Sequence, residues 1–428
     1  MARVPIILGT GISGLAISRH LSNKNIDHIL LGPEPHSFPR LGESLDYTAT
    51  VELDRYFADL SNCYYSKTSV DFFTQSSQFH CSTRINRFFP IVPTFFWKVL
   101  GVAAPTRFHH IDRIKFEKVL FAKEIERKTC QYIDSIVTKI DYDEQEDRVE
   151  RVHCKNGDIV EASYVFDTTG VRGAVTSTVP NHCNLLSDTQ QTAFGHFESN
   201  GAFCSSDKWQ HATGVFQLYQ NIDGIDAVGW IINCGEILSV GVSTSARTGG
   251  ISAEQLFDYA YKHLTKRGFE LNECQKRVEP KLFKHRYYKM NRLYGSNWVL
   301  AGGSAAGYWF PTGSGVGIGL LVARLAPEII KDSKYLKNYE RYVEKLITSH
   351  KSIAKLLETS QSGHCSTDDE RSLLKSVLNG NISRSAEYYL AVGAKWQYSI
   401  LSFIYNLSKK NIIFNKICRH VRALKLDV

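Results

Sequence analysis

The stretch Val4 to Leu21, "VPIILGTGISGLAISRHL", constrains the fold more than any other part of the chain. Three glycines, Gly9, Gly11 and Gly14, stand at the spacing G-x-G-x-x-G, between a β-branched apolar run and a helix-like run from Leu15 to Leu21. Glycine spacing alone is weak, but strand, turn and helix in this order are the required setting. Such a turn lets the backbone approach a pyrophosphate and aims a helix N-terminus at its charge. The reading is the opening βαβ unit of a doubly wound α/β sheet.

The rest of the chain is read around that unit. Residues 49–60 and 113–127 carry helical apolar stripes, and Asn156-Gly157 is a strong hairpin signal. Residues 190–245 alternate and are rich in aromatics, which predicts an antiparallel sheet. Residues 252–267 read as a helix, "NWVLAGGSAAGYWFPTGSGVGIGLLVARLAPEII" as strand, glycine-rich turn and long helix, and 335–428 as mostly helical. With no internal repeat and no low-complexity linker, the domains are expected to interleave.

Charge and thiol usage narrow the function classes. The balance of 51 basic and 43 acidic residues gives +8. No dense basic run with interleaved aromatics points to nucleic acid, so an anionic cofactor or acidic partner is the expected use of that charge. The ten cysteines are scattered singly, with no C-x-x-C and no metal spacing. No metal is expected, and free thiols in a reducing cytoplasm are. The glycine strand follows Met1 so closely that no signal peptide is expected, and no run is long enough to span a membrane.

Three separated segments together resemble the fingerprints of the FAD-dependent monooxygenase superfamily: the glycine turn, "YVFDTTG" (Tyr164 to Gly170) and "VLAGGSAAGYWFPTGSG" (Val299 to Gly315). That superfamily includes aromatic hydroxylases, flavin-dependent halogenases, geranylgeranyl reductases and lycopene cyclases. The resemblance runs over residues 1–330 and implies FAD as cofactor. It implies contacts from Gly9, Gly11, Ile12, Ser13, Gly14, Glu34, Glu43, Ser44, Arg113, Thr169, Gly170, Gly303, Ser304, Pro311, Gly313, Ser314, Gly315 and Val316. It also implies an FAD-binding domain from 1–80, 107–175 and 285–334, a substrate domain from 81–106 and 176–284, and a helical C-terminal region at 335–428.

Two positions depart from the pattern. Gly32 stands where an acid usually holds the adenosine ribose, with Glu34 two residues on, and Gly303-Ser304 replaces Gly-Asp. Each lost hydrogen bond is worth about 0.5–1.5 kcal/mol, so weaker or exchangeable FAD is expected. On this reading, restoring an aspartate at 304 tightens FAD binding.

The reaction is left open between classes. "GES" at Gly42 to Ser44 resembles a halogenase segment, and "SKTSVDF" lays over the halogenase stretch with the catalytic lysine, which nominates Lys67. An ordinary surface lysine is the plainer reading. The halogenase motif W-x-W-x-I-P is eroded to "VGWIIN", keeping Trp230 and Ile232, while "PTGSGVGIG" is closer to hydroxylases and geranylgeranyl reductases. Phe95, Phe96, Trp97 and Trp230 are candidates to line an apolar substrate cavity. The resemblance therefore implies a monooxygenase or halogenase-like enzyme working through a flavin peroxide on an aromatic or lipid-like substrate, supplied with electrons by NAD(P)H or a flavin reductase. The alternatives are an oxygen-independent reductase or cyclase on a prenyl lipid, and a degenerate flavin-fold protein that binds without turnover. His196 and His285 are acid–base candidates that nothing in the sequence selects. Near the C-terminus, Ile413, Ile417, Val421 and Leu424 recur at helical spacing among five basic residues. This amphipathic helix offers a dock for an anionic membrane or acidic carrier protein. The plainer reading is a terminal helix packed on the body.

Overall fold

The computed structural model describes residues 4–35, 40–45, 47–67, 69–73, 78–82, 108–185, 190–198, 214–222, 225–245, 253–266, 276–285, 287–307, 314–345 and 347. The chain divides into two compact units, one running to Asp332 and one beginning at Ser333. In the first, β1 (Val4–Leu8), α1 (Ile12–Ser22), β2 (His28–Leu31) and α2 (Tyr47–Tyr56) lead to β3 (Tyr64–Lys67), β4 (Ser69–Phe73) and β5 (Gln78–Ser82). Next come β6 (Phe108–Ile111), α3 (Arg113–Ile125), β7 (Cys130–Ile133), β8 (Val137–Asp143), β9 (Arg148–Cys154) and β10 (Ile159–Asp167). Then follow β11 (Cys183–Leu185), β12 (Gln190–Glu198), β13 (Gly214–Ile222), β14 (Ile225–Asn233), β15 (Ile237–Ser245) and α4 (Ala253–Lys266). The unit closes with β16 (Lys276–His285), β17 (Tyr288–Met290), β18 (Trp298–Leu300), β19 (Ala306–Gly307) and α5 (Ser314–Ile329).

The first sheet has a parallel core in the order β7-β2-β1-β10-β18. Parallel strands are covered on both faces, which is why β1 and β2 read as unbroken apolar runs rather than alternating ones. Ile6, Ile7, Leu8, Leu30, Val165, Phe166, Val299 and Leu300 are fully buried here. Each contributes about 1.5–3 kcal/mol of burial, as an upper estimate. The start of β10 pairs antiparallel with β9, and β9 with β8, so this long strand joins the parallel core to a meander. The Asn156-Gly157 turn lies between β9 and β10, with Gly157 at φ +93°.

The second sheet has the order β16-β12-β15-β14-β13-β4-β5. Its pairs are antiparallel except β13 with β4. The predicted antiparallel sheet at 190–245 is therefore present, and the strand pair at 69–82 extends it. All but the last two residues of that pair fall in the 1–80 segment expected with the nucleotide part, because chain order alone does not reveal the β4–β13 pairing. One face of β12 is covered by α4, where Phe197 stacks on Phe257 and Tyr261. Alternation then sends Phe194 and His196 to the opposite face.

Helix ends follow local chemistry. Asp112 caps α3, its carboxylate accepting from the Lys115 N–H at 3.0 Å. A buried Arg19, donating to Glu124 and Asp59, ties α1 to α3 and to the turn after α2. In the second unit, residues 334–345 form a helix in which Leu336, Tyr339, Tyr342 and Val343 are buried. The candidate amphipathic helix near residue 413 lies outside the described residues.

Candidate nucleotide site and the adjoining sheet face

In a doubly wound sheet, ligands bind beyond the carboxyl ends of the parallel strands, where the strand order reverses. Here that point is the end of β1, between β2 and β10. The glycine turn follows β1, Gly32 follows β2, Thr168 to Gly170 follow β10 and Ala301 to Ser304 follow β18. The three sequence motifs, separated by more than a hundred residues each, meet at one edge. Thr168 N and Oγ1 both donate to Leu8 O, at 2.8 and 2.7 Å, and Ala301 N donates to Asp167 O at 2.8 Å.

The glycine identities are required by space. Gly9 sits at φ +106°, which L side chains rarely adopt, and a methyl on Gly14 would lie 1.9 Å from Gly9 O. Ser13 is where the first and third motifs touch: methyl groups on Gly302 and Gly319 would lie 2.7 and 2.0 Å from its hydroxyl. Gly11 differs. Among the described residues a methyl there meets only the Arg40 guanidinium, at 3.1 Å. Gly11 is also the N-cap of α1 with no side-chain cap, and the first turn carries no acid. The N-terminal amides and the positive end of the helix dipole are left for an anion.

Two arginines add to that field. Arg113, at the start of α3, donates to Leu41 O at 2.5 Å and to Glu117, while Arg40 reaches Glu117 at 3.4 Å. One carboxylate thus serves two guanidinium groups, leaving net positive charge by Gly11. Among the described residues the Arg113 Nε is buried with no hydrogen-bond partner. A buried unsatisfied donor of this kind costs about 1–3 kcal/mol unless a ligand or water meets it. Glycine cradle, uncapped helix and orphaned donor fit a dinucleotide pyrophosphate.

Both departures from the family pattern have a physical reason. A side chain at Gly32 would come within 3.1 Å of the Thr10 methyl and amide, and the Thr10 hydroxyl donates to Pro33 O. Thr10 occupies the space an acid would need, and Glu34 is exposed. Ser304 is 3% exposed and turned inward. Its hydroxyl donates to Asp167 Oδ1 at 3.0 Å and accepts from Gly170 N at 3.0 Å. Asp167 is fully buried and also accepts from Thr169 N, Thr169 Oγ1 and Val175 N. Burial pushes its carboxyl up, and these hydrogen bonds oppose the shift. The Ser304 hydroxyl fastens the second motif to the third. Thr169 is exposed and Gly170 takes φ +82° beside Gly303.

The "GES" segment joins this edge to the second sheet. Gly42, at φ +109°, lies against Val316 and Arg113. Glu43 places its carboxylate 2.7 Å from His196 Nε2; the two residues are each 2% exposed. Its direction is fixed by the backbone, since Ile111 N donates to Glu43 O at 2.8 Å. Ser44 accepts from the Lys67 ammonium at 2.8 Å. Lys67 is half-buried at the end of β3. Trp230, expected against substrate, is fully buried, with Nε1 3.3 Å from Ser239 Oγ and its ring 6.3 Å from Phe194. Burial pushes the neighbouring Cys234 thiol up, reinforced by the Glu43 and Asp112 carboxylates. Gly315 and Val316 lie in the first turn of α5, which Ser314 opens. Phe95, Phe96, Trp97, Pro311 and Gly313 lie outside the described residues.

Arg40 and His196 lie in none of the three motifs, and Asp167, inside the second, is given no role by its pattern. His196 is one of two acid–base candidates in the sequence, and nothing local singles it out, because its partner is 153 positions away.

No protein-family model matches the chain, and no curated protein matches it in sequence. Solved structures do match in shape. The flavin-dependent brominase Bmp2 superposes with a TM-score of 0.64 at 16% identity, over 96% of this chain and 100% of that one. The fold is that of the flavin-dependent halogenases and FAD-dependent monooxygenases. The halogenase CmlS gives 0.65 at 17% identity, over 90% of this chain and 73% of CmlS. The p-nitrophenol 4-monooxygenase PnpA from Pseudomonas putida gives 0.66 at 14%, over 93% and 98%. At such identities the fold is what is shared. Among the described residues, no group of side chains is placed to hold a metal ion, and no helix is long and apolar enough to cross a membrane.

Proposed function

We propose that this chain is an FAD-dependent oxidoreductase acting on an organic substrate. The observation that carries the reading is the uncapped turn at Gly11, at the switch point of the sheet, with Arg40 against it and Arg113, its Nε orphaned among the described residues, on the same Glu117 carboxylate. The glycine turn and the first amides of α1 hold the pyrophosphate, and Arg40 and Arg113 offset its charge. The backbone of Gly170 and Gly303 and the first turn of α5 receive the flavin end. Bound FAD supplies hydride and oxygen chemistry, whereas the protein orients the partners and excludes water. The test is Gly11→Val. Its side chain enters the space between the turn and Arg40, so FAD binding followed by flavin fluorescence should weaken more than tenfold. Unchanged affinity with an intact fold overturns the pyrophosphate assignment.

Within that class, a monooxygenase on an aromatic or lipid-like substrate is the reading we favour. Electrons come from NAD(P)H or a separate flavin reductase. The apolar sheet face carrying Phe194 and Trp230 supports it. Halogenation is the second reading, favoured by one observation: the Lys67 ammonium lies on Ser44, directly after the buried Glu43, rather than on the outer surface. We further propose a cytoplasmic location, with the basic C-terminal helix as the element for a membrane or acidic carrier.

A further inference from the structure

Gly303 is exposed in the turn after β18, whereas Gly302 and Ser304 on either side of it are buried. Its carbonyl is engaged from outside the three motifs, by the Tyr288 hydroxyl, which donates to Gly303 O. Tyr288 stands on β17, the centre strand of the small sheet β11-β17-β19, opposite Leu185 on one side and Gly307 on the other. From the same strand, Met290 N donates to Ala305 O at 3.0 Å. One strand thus grips the third motif at residues 303, 305 and 307. The tyrosine is 6% exposed, and burial, then the Cys183 and Asp167 charges, push its hydroxyl up. It stays a protonated donor at any pH near neutrality.

The other bonds of this turn run elsewhere. Ala301 N donates to Asp167 O, and the Ser304 hydroxyl bridges Asp167 and Gly170, so both tie the turn to the end of β10. Within the turn, Ser304 N donates to Ala301 O at 3.2 Å. The Gly303–Ser304 peptide is therefore pinned at its N–H by Ala301 and at its C=O by Tyr288. A glycine gives the adjoining peptide plane little resistance to rotation, and that plane carries a dipole of about 3.5 D. We propose that Tyr288 is a positioning residue for the flavin end of the site: its hydroxyl sets the direction of the Gly303–Ser304 peptide. This rests on the flavin reading and extends the cofactor site to the small sheet. The glycine turn after β1 serves the pyrophosphate, so the two ends of the ligand should respond separately to a change at Tyr288.

The test is Tyr288→Phe, which removes the hydroxyl and keeps the ring. Binding of FAD, and of ADP, which lacks the flavin end, is measured by calorimetry on the full chain. FAD affinity should fall about three- to tenfold, the worth of one neutral hydrogen bond, while ADP affinity holds within about twofold. The visible absorption of bound FAD should move toward that of FAD in water. Hydrogen exchange of the unaltered chain is a second measurement that does not depend on the variant folding. FAD should slow amide exchange at 288–290 on β17, and ADP should not. FAD and ADP weakened alike, FAD affinity unchanged, or no FAD-specific protection at 288–290 overturns the proposal. FAD binding to the unaltered chain is measured first: its absence sinks the flavin reading itself, whereas a chain that binds FAD but fails these comparisons sinks only the role of Tyr288.

Discussion

Replacing Ser304 with aspartate puts the acid of the family pattern back where the sequence lacks it. The structure reverses the expectation that this tightens FAD binding. The Ser304 hydroxyl lies 3.0 Å from Asp167 Oδ1, and Asp167 is fully buried. A second carboxylate at that position stands within about 4 Å of the first. At an effective dielectric constant of about 20, two like charges so placed repel by about 4 kcal/mol. The hydroxyl's donation to Asp167 is lost as well, worth about 1 kcal/mol. Protonation of one carboxyl relieves part of this, at about 1.4 kcal/mol for each tenfold gain in its proton affinity, so a net destabilisation of about 2–4 kcal/mol is expected at pH 7.

The sign with pH separates this account from a packing defect. A carboxyl pair whose folded pKa is raised holds more protons folded than unfolded, so its penalty shrinks as pH falls and grows as pH rises through the folded pKa. Chemical denaturation of Ser304→Asp at pH 5 and pH 8 should give a smaller loss at pH 5. Ser304→Ala should lose about 1 kcal/mol with little dependence on pH. FAD affinity should fall in Ser304→Asp, because Gly170 is held through the same hydroxyl. A Ser304→Asp protein that is as stable as the parent and binds FAD more tightly would refute the inward-facing hydroxyl.

Other perturbations test separate parts of the fold and site. Asn297 is buried, accepting from Val149 N and donating to Val149 O, both at 2.8 Å. Asn297→Ala strands two buried backbone groups and should cost about 2–4 kcal/mol by urea denaturation. His20 is buried beside Arg19 and Arg324, and burial first, then those charges, holds its pKa down to about 3. Burial also lowers His28, which is neutral between the Ser18 hydroxyl and Ile26 O. The unfolded chain takes up protons below about pH 6.5 that these two refuse when folded, so stability should be full above that pH and fall as pH drops toward 5. A flat stability profile from pH 7.5 to 5 would contradict their burial. For the halogenation reading, products formed with chloride or bromide present are identified by mass spectrometry. We expect no halogen isotope pattern in the parent, and one that disappears in Lys67→Ala, with flavin reduction intact, would establish halogenation.

What the sequence discloses is governed by short-range chemistry. The turn at Gly9 to Gly14 announces itself because backbone geometry and a 1.9 Å approach admit no side chain, whatever the rest of the chain does. The Asn156-Gly157 hairpin is local in the same sense. The strand pair at 69–82 is legible as β-structure but not as part of the second sheet, because pairing to β13 spans well over a hundred residues. The same distance hides Glu43 from His196. The Gly303-Ser304 departure illustrates the point most directly. Read alone, Ser304 is an acid lost. In the fold, the carboxylate that orders this edge is Asp167, 137 positions earlier, and Ser304 is the hydroxyl that an inward-facing carboxylate needs as a donor. An aspartate at both places would be two buried charges in one pocket, so the residue at 304 follows from the one at 167.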